Sequence, residues 1–129
     1  MNPKMSERYL DCHDAEIIGL SWDVDSLHLN LLDYEGTRKT FVLHGLVSLR
    51  IQDLIQYNII GDNELLPPAE ASDEFWKFLL ADSPNADLFN KDRTRLLEAI
   101  KGGGLAVFFC GSCGATVAAL CSEVEWRDA

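Results

Sequence analysis

The chain has 129 residues, 47% of them hydrophobic, which is the size of one domain and too apolar for a disordered segment. Its 21 acidic residues outnumber 11 basic ones, and the formal net charge of −10 disfavours nucleic acid and anionic membranes as partners. The apolar stretch Leu105–Phe109 is far shorter than the roughly 20 residues that a bilayer-spanning helix needs, so no membrane partner is expected.

The opening residues, Met1 to Arg8, lack the apolar centre of a signal peptide, and the four cysteines do not follow a disulfide framework. A cytoplasmic protein is expected. Residues 15–24 place Ile18, Leu20, Trp22 and Val24 at alternate positions and predict a first strand, followed by a turn at Asp23-Val24-Asp25-Ser26. In residues 27–33, Leu27, Leu29 and Leu31 alternate with His28, Asn30 and Leu32, the clearest period-two pattern in the chain. Glu35-Gly36 marks a tight turn. Phe41 and Leu43 then share one face of a third strand, and Val47, Leu49 and Ile51 one face of a fourth. Short strands joined by short turns indicate antiparallel pairing. Residues 53–60 are open between a helical turn and a short strand ending at Gly61-Asp62.

Pro67-Pro68 predicts a loop over residues 61–71. Ser72 is the expected cap of a short helix carrying Phe75, Trp76, Leu79 and Leu80 on one side, with Asp73 and Glu74 in its first turn. Ser83-Pro84 offers the cap of a second helix, strongest over Asn90–Lys101 and stopped by Gly102-Gly103-Gly104. Strands resume at Leu105. The expected architecture is a single α+β domain over residues 1–129. It has an antiparallel β-meander of about five to seven strands, and two helices inserted before a C-terminal β-hairpin.

No complete catalytic motif emerges, and the expectation is a protein without enzymatic activity or cofactor. Cys110-Gly111-Ser112-Cys113 has the C-x-x-C spacing of a thiol redox site or half a zinc site. Only 16 residues follow Cys113, too few to complete a thioredoxin-type fold, and no second pair exists. The simpler reading is a β-hairpin turning at Gly111 and Gly114, with Cys110 and Cys113 kept as the alternative metal or thiol pair. His13-Asp14 would need further ligands, such as Asp11 and Glu16, to hold a metal. Phe41, Trp22, Phe75, Trp76 and Phe78 fit core faces and lack a basic patch that would suit nucleic acid.

Residues 13–62 resemble a group of small bacterial proteins. The resemblance runs from His13-Asp14-Ala15-Glu16-Ile17-Ile18 through Leu49-Arg50-Ile51-Gln52-Asp53 to Asn58-Ile59-Ile60-Gly61-Asp62. Some members of the group are immunity proteins of polymorphic toxin systems, of the immunity protein 50 type. Gly114 to Cys121 also looks like the closing strand of such proteins, whereas the cysteine pair departs from their pattern. The resemblance covers about half the chain and implies an α+β fold and a toxin-neutralising or other binding role, with no catalytic residues to carry over.

The expected function is therefore binding, with a basic toxin as the partner if the resemblance holds. Acidic residues near strand ends, Asp11, Asp14, Glu16, Asp33, Glu35, Asp62 and Glu64, are the candidate contacts together with His13. A self-associating module that pairs two chains across an exposed sheet edge, giving a homodimer, is the remaining alternative.

Overall fold

The computed structural model describes residues 14–101 and 103–128. Among them are eight strands: β1 (Glu16–Trp22), β2 (Ser26–Leu32), β3 (Arg38–His44), β4 (Ser48–Gln52), β5 (Ile59–Leu66), β6 (Leu105–Cys113), β7 (Thr116–Cys121) and β8 (Glu123–Asp128). A single 3-10 turn at Pro68–Glu70 and two helices, α1 (Asp73–Leu79) and α2 (Ala86–Ile100), lie between β5 and β6. The architecture is α+β with a dominant antiparallel sheet. The strand count exceeds the expected five to seven, and three strands rather than a two-stranded hairpin follow the helices.

The sheet is also more than a meander. Its order is β4-β7-β6-β5-β1-β2-β3-β8. Its two ends are continuations of strands already inside it. β3 and β4 form one bent ribbon, and β7 and β8 another, paired from Lys39 opposite Asp128 to Gln52 opposite Thr116. At the bend, Gly45-Leu46-Val47 faces Cys121-Ser122, three residues against two, which is a β-bulge. Hydrogen bonds from Ser122 N to His44 O and from Val47 N to Leu120 O, both 2.8 Å, carry the pairing across it. Gly45 is required there: its φ is +64°, and a Cβ would run into the Ser122 side chain. The pairings thus form a closed circuit of β1, β2, β3–β4, β7–β8, β6 and β5, and the sheet curls into a small barrel.

Alternation fills the inside of this barrel. Leu27, Leu29, Leu31, Phe41, Leu43 and Val117 are at most 2% exposed and belong to one core cluster. Each such side chain contributes about 1.5–3 kcal/mol relative to an exposed one. Phe41 lies between Phe109 and Trp126, with ring centroids 5.6 and 4.8 Å away. The opposite face of β6 and β7 is covered by the helices. Phe108, Ala118 and Leu120 meet Phe75, Trp76 and Leu79 of α1, with Leu96, Leu97 and Ile100 of α2 packed alongside.

Helix boundaries follow local chemistry. Ser72 Oγ accepts from Phe75 N and caps α1. α2 is capped by Asn85, whose side chain accepts from Leu88 N, and not by Ser83-Pro84. Ser83 Oγ instead donates to Asp92 Oδ2 at 3.0 Å. The helix ends on Lys101, which itself takes the left-handed conformation ahead of the glycines.

Two strand expectations require correction. Residues 61–66 belong to β5 and are not loop. Gly61 fits there because it packs closely, with a Cβ position 3.1 Å from Cys110 O, and Asn63 and Leu65 are buried while Asp62 is exposed. In β1, a bulge between Ile17 and Gly19 resets the alternation. Ile17 is buried, whereas Ile18, Trp22 and Val24 are exposed, so Trp22 is not a core residue.

Candidate functional site

The barrel has a weak seam. β1 and β5 share one residue pair, Glu16 opposite Ile59, supported by bonds from Asp14 N to Ile60 O, Ile60 N to Ala15 O and Ile17 N to Asn58 O. Beyond Ile17, β1 continues to Trp22 with β2 on one side and no strand of the described residues on the other. The bond from Asp23 N to Ser26 O makes that pair a hydrogen-bonded one. Pairs alternate in an antiparallel ladder, so Ser21–His28 and Gly19–Asn30 are also bonded, and Leu20 and Trp22 point their N–H and C=O groups away from β2. Those four backbone groups face the open side of the seam.

Residues 53–58 flank the same opening. This loop is held by one buried side chain. Asn58 Oδ1 accepts from Ile55 N and from Ala115 N, each at 3.0 Å, and Asn58 Nδ2 donates to Ile55 O at 2.6 Å. With Asn58 buried, the loop cannot fold its own apolar side chains inward. Leu54, Ile55 and Tyr57 are all more than half exposed. Between loop and strand lies a cleft of about 310 Å³ lined mainly by Glu16, Ile18, Leu20, Leu54, Ile55 and Gln56. Among the described residues its lining carries one charged side chain, Glu16, and no cation. Five of the large exposed hydrophobic residues, Ile18, Trp22, Leu54, Ile55 and Tyr57, therefore gather on β1 and this loop. Such a patch on an otherwise acidic chain fits recognition of another molecule.

The sequence-based candidates fall in several places. Asp11 and His13 lie outside the described residues. Asp14 precedes β1 with a φ of +64°, and Glu16 stands opposite Leu32, one residue before Asp33. Asp33 organises the β2–β3 turn by accepting from Glu35 N (3.0 Å) and Thr37 N (2.8 Å), and it lies 3.8 Å from Lys39 Nζ. Asp62 and Glu64 are within β5, where Glu64 Oε1 accepts from Ser72 N at 3.4 Å. Of the described acids among them, only Glu16 lines the cleft. The cleft itself was not anticipated; the signal available was three large apolar residues, Leu54, Ile55 and Tyr57, within six positions bounded by Asp53 and Asn58.

The three described cysteines, Cys110, Cys113 and Cys121, do not assemble. β6 runs through Cys113, and the turn is at Gly114-Ala115, with Gly111 inside the strand. Cys110 packs against the helix-side cluster, Cys113 is exposed, and Cys121 is in the barrel interior. Burial, followed by the nearby carboxylates of Glu74, Glu64 and Asp62, pushes the Cys110 thiol up, and burial pushes Cys121 up to about 12. A redox-active thiol needs the opposite shift. Among the described residues no group of three or more His, Cys, Asp or Glu side chains is placed to hold a metal ion.

Elsewhere, Glu125 joins β8 to β3 through His44 Nε2 at 2.8 Å and also accepts from Arg127 of its own strand. No helix of the described residues is long and apolar enough to cross a membrane. No family model, curated protein or solved structure gives a significant match to this chain.

Proposed function

We propose that this is a non-catalytic bacterial binding protein that holds a protein partner against the cleft between β1 and the 53–58 loop. The observation that supports the reading is the concentration of exposed Ile18, Leu54, Ile55 and Tyr57 around an opening whose charged lining, among the described residues, is Glu16. An apolar site on a chain of net charge −10 suits a partner that combines apolar anchors with positive charge. The resemblance to immunity proteins supplies a matching partner class, a basic toxin neutralised in the cytoplasm. The raised Cys110 thiol weighs against a redox role for the Cys110–Cys113 pair.

The test is co-expression with the product of the adjacent gene, followed by calorimetric titration of the purified pair. Leu54→Lys with Ile55→Lys removes two apolar contacts worth about 1.5–3 kcal/mol each when fully buried. Affinity is expected to fall at least about tenfold. A complex that binds the double variant as tightly as the parent, or no complex at all, rejects this assignment.

A further inference from the structure

The open stretch of β1 has a chemistry that a general apolar patch lacks. Leu20 and Trp22 each present one backbone donor and one acceptor on the side where the described residues place no strand. The stretch from Ile18 to Trp22 spans roughly 16 Å at about 3.3 Å per residue, enough for one short extended segment. The cleft opens along this same edge, lined by Ile18 and Leu20 on the strand and by Leu54 and Ile55 on the loop. Exposed edges normally carry lysines or prolines, and this one, past the bulge between Ile17 and Gly19, carries Leu20, Ser21 and Trp22.

We infer that the partner adds an extended segment to β1 as an extra strand, and that its backbone bonds to Leu20 and Trp22 while an apolar side chain enters the cleft. This rests on the binding function proposed above and specifies its geometry. The segment is a basic, apolar peptide stretch of a protein. Charge complementarity selects it over a second copy of this chain, because two copies would bring net charges of −10 together and, among the described residues, the cleft contributes Glu16 without a cation. Main-chain bonds supply affinity and the cleft supplies side-chain choice, the division of labour seen when a peptide extends a sheet.

The probe is a synthetic nine-residue peptide of alternating lysine and valine, titrated into the full chain labelled for NMR. The expected result is slowed exchange of the Leu20 and Trp22 amides, with cross-strand contacts from the peptide to β1. A peptide of the same sequence, N-methylated at the residues facing β1, is expected to bind at least tenfold more weakly, and Ile55→Lys is expected to weaken the parent peptide similarly. Equal binding of both peptides means apolar docking without strand addition and overturns this inference while leaving the binding function standing. No binding of either peptide overturns it as well. Sedimentation of the free protein as a dimer that Ile18→Lys dissociates assigns the edge to a second copy, and that too overturns it. Loss of the adjacent-gene complex, by contrast, bears on the broader function.

Discussion

Asn58 Oδ1 lies 3.0 Å from the backbone nitrogen of Ala115, 57 positions away in sequence, and it accepts a second bond from Ile55 N. One buried amide thus ties the loop beside the cleft to the β6–β7 hairpin. Replacing it by alanine leaves two N–H groups and the Ile55 carbonyl without their partner. Only the bond to Ala115 N is buried, so at about 1–3 kcal/mol for that group, with a smaller loss at the part-buried Ile55 groups, Asn58→Ala is expected to cost about 2–4 kcal/mol. Urea unfolding checks this as a lower midpoint at unchanged slope. Asn58→Asp keeps the acceptor but sets a buried carboxylate oxygen against the Ile55 carbonyl, and is expected to cost at least as much as alanine.

Gly114 supports the same junction from the other side. Its φ is +81°, and a Cβ would stand 2.5 Å from both Asn58 Oδ1 and Tyr57 O. Gly36 has a similar φ of +86° with nothing within 4 Å of its Cβ position. Gly36→Ala is therefore expected to cost only the conformational term, about 1 kcal/mol. Gly114→Ala is expected to cost clearly more, because backbone must also move. Thermal melts of the two variants measure the difference.

Thiol accessibility separates the described cysteines. Cys113 is expected to alkylate first, Cys110 more slowly, and Cys121 only when the barrel opens. Glu74→Gln removes a carboxylate that raises the Cys110 thiol and is expected to speed its reaction. For Cys121, the folded state prefers the protonated thiol. Its contribution to stability is therefore complete below the ordinary value of 9.0 and is lost as pH rises toward about 12. Mass-resolved alkylation across pH reads both effects.

Glu125 provides the opposite case. Its hydrogen bond with Arg127, and then that with His44, hold its carboxyl at about 2, below the ordinary 4.5. A lowered carboxyl stabilises the folded state above the unfolded value and loses that contribution as protons are taken up. The stabilisation from Glu125 is expected to be present above pH 4.5 and to fade between there and pH 2. Stability measured against pH should therefore fall less steeply over this window for Glu125→Gln than for the parent. Identical slopes would remove Glu125 from the acid response.

Strands β2 and β3 were legible because their inner residues, Leu27, Leu29, Leu31, Phe41 and Leu43, alternate without interruption. β5 was not, because Gly61, Asp62, Asn63 and Glu64 read locally as loop. Asn63 is buried with only a 3.5 Å bond to Gly61 O, and the acids occupy the outer face. The β1 bulge turned Ile18 outward and Ile17 inward, a one-residue shift that hydrophobic alternation cannot signal. Barrel closure depends on one extra residue at Gly45-Leu46-Val47, and the cleft joins β1 to a loop more than 30 positions later. Both are products of long-range pairing. The acidic residues were visible at once, but only Glu16 among the described candidates lines the cleft.

Residue-resolved hydrogen exchange on the free protein tests the open seam most directly. The Gly19 and Ser21 amides, bonded into β2, are expected to exchange slowly, and those of Leu20 and Trp22 fast, in alternation along one strand. Slow exchange at all four positions would mean that the edge is already covered in the free protein, and would contradict an open binding edge on β1.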